Sequence, residues 1–202
     1  MDVTITDNFL PQVDFLSLKG QITSEEFPWY FSPYISSEDV EILPTPGMFK
    51  HILYYDGDPK SQLYESYVRI FQKALDFSIL FRIRINLNFR LPQPYRSVFH
   101  VDEEPREESK GVWKVPSGNK YTPKHKDSEW ATSIFYLNTN NGYTELENGQ
   151  KIASIGNRAV TFPLNTKHRM VTQTDEQTRY VINFSYLKIP ERIIKGREKH
   201  GS

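Results

Sequence analysis

The segment His100-Val101-Asp102 carries the residue types from which a catalytic centre is most readily built. Successive side chains of a β-strand alternate faces, so the imidazole and the carboxylate project together while Val101 points away into packing. A second histidine from a distant strand, His168, completes a two-histidine, one-carboxylate set. Such a set holds Fe(II) from one side and leaves coordination positions open for a co-substrate and oxygen. A co-substrate that carries a carboxylate also needs a cation, best the planar fork of an arginine. Arg179 follows His168 by eleven residues. If one strand ends at Phe162-Pro163 and a later one runs from Arg179 to Phe184, Arg179 lies deeper in the same barrel and shares a face with Val181 and Asn183. Tyr136, in step with Thr132 and Ile134, offers a phenol to the same carboxylate.

A lone His-x-Asp is weak evidence, and the sequence contains a rival in His125-Lys126-Asp127. The apolar Val98, Phe99 and Val101 favour a buried strand around His100, whereas Lys124 and Lys126 place positive charge where a cation would have to bind. The first pair is therefore preferred and the second kept as its alternative. His51, beside an aromatic run, reads as a hydrogen-bonded structural histidine.

Elements must position these groups. The chain has 202 residues with 13 Pro and 10 Gly, which suits one domain with many turns and few long helices. Lysine plus arginine and aspartate plus glutamate both number 25, so charge gives no indication of nucleic-acid binding. The absence of cysteine removes disulfides, thiolate ligands and a cysteine nucleophile, leaving histidine and carboxylates for any metal. No run approaches the roughly 18 apolar residues of a membrane span, and no leader pattern opens the chain, so the sequence reads as cytoplasmic.

Asp7 to Gly20 suggests a short helix with a polar N-cap and a glycine stop. Leu63, Tyr67, Ile70, Phe71, Ala74 and Phe77 follow helical spacing within 61–77. Strands are expected around 27–31, 51–55, 79–87, 96–101, 132–137 and 143–146, and near 151, 159 and 179, with Asn140-Asn141-Gly142 and Glu147-Asn148-Gly149 as turns. Residues 103–128 are charged and poor in apolar side chains, and read as a loop inserted into the domain, where Trp113 or nearby Trp130 either covers the site or anchors the loop. Serial short strands with few helices imply a β-sandwich or barrel.

Over nearly its whole length the chain resembles small Fe(II)/2-oxoglutarate oxygenases of the prolyl-hydroxylase-like kind, including phage-encoded members. The resemblance rests on Phe27-Pro28-Trp29-Tyr30, the run from His51 to Gly57, Arg82 to Leu87, Phe99 to Asp102, Ser133 to Thr144, Gly156 to Pro163, Lys167-His168-Arg169 and Thr178 to Phe184. It implies a mainly β fold with flanking helices, the double-stranded β-helix or jelly-roll barrel. It further implies iron on His100, Asp102 and His168, 2-oxoglutarate anchored by Arg179 with Tyr136 beside it, O2 as second co-substrate and ascorbate as a reductant. The expected reaction is hydroxylation of proline or a peptidyl residue, with a small molecule, another amino-acid side chain or a nucleobase as other substrates, in the host cytoplasm if phage-encoded. The longer connection after His-x-Asp departs from the pattern. Two other classes stay open: a catalytically silent barrel that binds or builds, and a cupin-like metalloenzyme without 2-oxoglutarate. The role of Arg179 separates them.

Overall fold

A computed structural model describes residues 1–35, 45–102, 106–109, 112–114, 120–121 and 129–188. Its elements in chain order are β1 (Thr4–Thr6), α1 (Gln12–Ile22), β2 (Tyr30–Ser32), β3 (Met48–Tyr55), β4 (Asp58–Pro59), α2 (Tyr64–Leu75) and β5 (Phe77–Phe89). Then come β6 (Arg106–Ser109), β7 (Val112–Lys114), β8 (Lys120–Tyr121), β9 (Glu129–Tyr136), β10 (Tyr143–Leu146), β11 (Lys151–Ala153), β12 (Arg158–Pro163), β13 (His168–Val171) and β14 (Thr178–Lys188). The fold is a double-stranded β-helix. Its major sheet runs β1-β12-β9-β14-β5-β3-β2, with β4 on β3, and its minor sheet runs β11-β10-β13. Every pairing in these two sheets is antiparallel.

The two faces of the major sheet are chemically distinct because side chains alternate. One face of β5 carries Ile83 and Ile85, which join Phe135, Ile182 and Phe184 in a core beneath the helices. α2 supplies Tyr67, Val68, Phe71 and Leu75 to it, a stripe at helical spacing. Phe71 lies 4.5 Å from Phe184 and 5.3 Å from Phe135 between ring centroids, and Phe15 of α1 meets Phe135 from the other side. The opposite face of the major sheet looks toward the minor sheet. There Ile134, Tyr136, Val160, Phe162 and Val181 pack with Leu146 and Ile152.

α2 falls within its expected span and ends on Asp76, which takes a left-handed φ of 46°. α1 departs from expectation. It starts after Pro11, without a side-chain cap, and runs through Gly20 to Ile22. Phe15, Leu18 and Ile22 are all buried, and that burial carries the helix past the glycine. Residues 96–101 form no continuous strand and pair with β13 only through bridges at Arg96–Val171 and His100–His168. Two strands that the sequence pattern does not single out, β1 and β13, are short segments held by their neighbours.

Within 103–128, three short strands pair in the order β6-β7-β8, so the expected insertion contains its own small sheet. His125 and Asp127 lie outside the described residues. So do the side chains of that sheet, including Trp113. Trp130 belongs to the barrel, packed with Phe81, Leu164 and Leu187.

The amino-terminal segment is pinned across the barrel by Asn157. Its side-chain oxygen accepts from Leu10 N–H and its amide donates to Leu10 C=O, both at 2.9 Å and buried. Asn157→Ala leaves both backbone groups without partners and is expected to cost about 2–3 kcal/mol. Chemical denaturation would read this as a lower midpoint at unchanged slope.

Candidate metal centre

His100 reaches its position because the segment after β5 runs along the β13 edge of the minor sheet and pairs with it. The His100 N–H donates to the His168 carbonyl at 3.0 Å, and the His168 N–H to the His100 carbonyl at 2.9 Å. This reciprocal pair fixes the two backbones opposite each other, and the imidazole centroids are 4.8 Å apart. Each ring is then turned by its own Nδ1. His100 Nδ1 lies 3.1 Å from the Val98 carbonyl and His168 Nδ1 lies 3.0 Å from the Thr166 carbonyl. With Nδ1–H donating to those carbonyls, both Nε2 lone pairs are available to a metal.

Asp102 completes the cluster, and one ligand atom from each of the three residues lies within 4.8 Å of the others. Burial opposes its ionisation. The Arg82 guanidinium outweighs that cost, with help from His168, Arg84 and His100, and holds the carboxyl well below the usual carboxylate range. Arg82 Nη2 stands 2.5 Å from Asp102 Oδ1 with both side chains buried. The short approach is an ion pair without hydrogen-bond alignment, because no acceptor lies along the Arg82 Nε–H and Nη2–H bonds among the described residues. Burial, the dominant influence on His168, pushes its imidazole down toward the neutral form. One carboxylate oxygen and two imidazole nitrogens make a donor set that suits Fe(II), and the three residues fit such an ion.

The wall beside the metal cluster is the inward face of β5 and β14. Register places Arg179 opposite Asn88, Val181 opposite Asn86, Asn183 opposite Arg84 and Ser185 opposite Arg82. A cavity is lined by His100, His168, Arg179, Asn88, Asn86 and Thr144 among others. Arg179 is 2 % exposed, so protein covers nearly all of it apart from the part that borders the cavity. Its Nε donates to Ser154 Oγ at 2.8 Å, and its guanidinium carbon lies 5.6 Å from the Tyr136 ring centroid. Among the described residues no carboxylate pairs with it. Burial lowers its pKa from the ordinary arginine value, with the Tyr136 phenol opposing. Arginine starts so high that the guanidinium stays charged near neutrality.

The structure thus brings His100, His168 and Arg179 to one cavity, with Asp102 clustered against the two histidines and Tyr136 just behind. Tyr136 donates its O–H to Thr144 Oγ1 at 2.8 Å, and Thr144 rather than Tyr136 borders the cavity. His51 stands apart. Its Nδ1 sits 2.7 Å from the Pro28 carbonyl and its ring packs against Phe27 and Tyr30, in keeping with a structural histidine. Sequence reasoning missed Arg82, Ser154, Thr144, Asn86 and Asn88, and placed Asn183 on the face of Arg179 without giving it a role. The alternation Arg82-Ile83-Arg84-Ile85-Asn86-Leu87-Asn88 is the available signal, although it also fits a strand with one wet face.

No protein-family model and no curated protein matches the sequence. Solved structures do match by shape. A 2OG-Fe(II) oxygenase family oxidoreductase from Burkholderia pseudomallei superimposes with a TM-score of 0.60 at 11% identity, covering 92% of this chain and 84% of that one. A prolyl hydroxylase from Trichoplax adhaerens, in complex with a hypoxia inducible factor oxygen degradation domain peptide, gives 0.56 at 16% identity over 99% and 87%. A Pseudomonas putida prolyl-4-hydroxylase gives 0.53 at 11% identity over 93% and 92%. At these identities the likeness is one of fold, and the chain has the double-stranded β-helix fold shared with 2OG-Fe(II) oxygenases, prolyl hydroxylases among them.

Proposed function

We propose that this protein is an Fe(II)- and 2-oxoglutarate-dependent dioxygenase, with His100, Asp102 and His168 as the iron ligands and Arg179 as the anchor for the far carboxylate of 2-oxoglutarate. The observation that carries this reading is the buried Arg179 guanidinium, without a carboxylate partner among the described residues, in the same cavity as a two-histidine, one-carboxylate cluster. A silent barrel gains nothing from an unpaired buried charge, which costs several kcal/mol in such surroundings.

When bound, iron and 2-oxoglutarate supply oxidative decarboxylation and transfer of one oxygen atom to a C–H bond. The chain contributes position and shielding. Val98 and Thr166 carbonyls orient the two imidazoles, Arg82 keeps Asp102 anionic, and Ser154 and the Tyr136 ring hold Arg179 in place. Hydroxylation of a proline, free or peptidyl, is the first substrate class to examine, on analogy with the prolyl hydroxylases of the same fold.

Anaerobic titration of the Fe(II)-loaded protein with 2-oxoglutarate tests the reading. The expected result is a weak visible charge-transfer band from bidentate keto-acid chelation, absent in His168→Ala. Iron bound without any band would discard the 2-oxoglutarate mechanism and restore the cupin-like alternative.

A further inference from the structure

The cavity wall beyond Arg179 has chemistry that the co-substrate does not use. Arg84, Asn86, Asn88 and Asn183 all border it, along with the metal histidines. Asn86, Asn88 and Asn183 are 5 %, 3 % and 6 % exposed. The side-chain oxygens of Asn86 and Asn183, and both polar atoms of the Asn88 amide, find no hydrogen-bond partner among the described residues. An unsatisfied buried amide is costly, and several on one cavity wall point to a ligand that satisfies them. Orphaned carbonyl oxygens call for N–H donors.

The same wall is cationic at its outer edge. Lys50 pairs in register with Asn86, and Ile52 with Arg84, so Lys50 stands on the cavity side of β3 next to Met48, which also lines the cavity. The half-buried ammonium has its pKa lowered by burial and by the Arg84 charge beside it. Among the described residues Lys50 makes no ion pair. An ammonium without an ion-pair partner at a partly buried site favours an anion beside it. Lys50 also borders a neighbouring groove with Tyr30, Tyr55 and Lys60, so an incoming molecule meets it early.

We propose that the primary substrate is a small carboxylic acid bearing N–H donors, the class of free amino acids, with its carboxylate received by Lys50 and Arg84 and its N–H groups by Asn86 and Asn183. A residue inside a peptide has no such carboxylate and at most one backbone N–H, none if it is proline. The inference rests on the proposed dioxygenase reading and narrows its substrate.

The test uses the anaerobic Fe(II)·2-oxoglutarate complex of the full chain. The twenty free L-amino acids, each paired with its amide, and the blocked peptide acetyl-Gly-Pro-Gly-amide are added while the charge-transfer band is followed. At least one free amino acid is expected to perturb the band while its amide does not. Lys50→Met and Arg84→Met should weaken that response about tenfold to a hundredfold, and Lys50→Arg should retain it. The band from 2-oxoglutarate alone should persist in Lys50→Met, a partly exposed position whose replacement by an apolar chain of similar length spares the fold. A response to amides or blocked peptide equal to that of the free acids overturns the proposal. So does no response to any free amino acid, or a response that Lys50→Met leaves unchanged. Failure to form the 2-oxoglutarate band at all would instead remove the dioxygenase reading and this inference with it.

Discussion

Arg179→Met is expected to weaken 2-oxoglutarate binding severely while leaving the folded protein as stable as the parent, or more so. The two effects come from one feature. The Arg179 guanidinium is buried with Ser154 Oγ as its hydrogen-bond partner and no carboxylate partner among the described residues. Removing an uncompensated buried charge and replacing it with an apolar chain of similar length relieves a desolvation cost. Binding moves the other way, because truncating one partner of a buried, hydrogen-bonded charge pair costs about 2–5 kcal/mol. That corresponds to a weakening of about 30-fold to several thousand-fold. Thermal melts and 2-oxoglutarate titrations on the same two samples give both numbers. Iron binding should be unaffected, since none of the ligands touches the substituted side chain. A variant that unfolds instead would mean that Arg179 is a structural cation, and the cavity would need another explanation. Lysine at 179 should recover only part of the affinity, because a single ammonium cannot meet both oxygens of the carboxylate as the fork does.

How far the sequence discloses this site depends on the kind of residue. His100, Asp102 and His168 could be read because metal ligation demands particular side chains, and few histidines compete in a chain that has five. Arg179 could be read because its strand is apolar on the other face, with Tyr180, Ile182 and Phe184 alternating around it. β5 is harder. Its polar members look like the wet face of an edge strand, yet β14 and β3 flank it on both sides and the minor sheet covers its polar face. Whether an alternating strand shows its polar face to water or to a cavity is decided by its neighbours in the sheet, and those are set by residues distant in sequence. The segment carrying His100 shows the same limit. Apolar residues around it suggest a full strand, but only two bridges form, because from Arg96–Val171 to His100–His168 the loop advances four residues while β13 retreats three, and the register does not hold. Gly20 fails as a stop signal for a related reason: burial of Ile22 beyond it outweighs the roughly 1 kcal/mol that glycine costs inside a helix.

Arg82→Met makes the complementary case, since here the buried charge has a partner. Arg82 and Asp102 face each other with side chains 8 % and 2 % exposed, so substitution strands the Asp102 carboxylate in the interior. Breaking such a pair from one side is expected to destabilise the metal-free protein by about 3–5 kcal/mol. The pH dependence should change sign. In the parent, Asp102 titrates below its unfolded value, so its stabilising contribution is complete above about pH 4 and is lost as pH falls through the depressed folded value. In the variant, burial is left without Arg82 to oppose it and the Asp102 pKa rises above the unfolded value. The folded state then binds the extra proton, and the penalty present at neutral pH shrinks as pH falls through the raised value. A divalent ion on His100, Asp102 and His168 supplies the missing positive charge by another route. Melts of the variant at pH 7 with Mn(II) should therefore recover more stability than the same free concentration of the ion adds to the parent, since by linkage a larger gain is tighter binding, which follows when the Arg82 charge no longer competes for Asp102. An equal gain in both proteins would show that the ion does not sit against Asp102, and would move the metal away from this cluster.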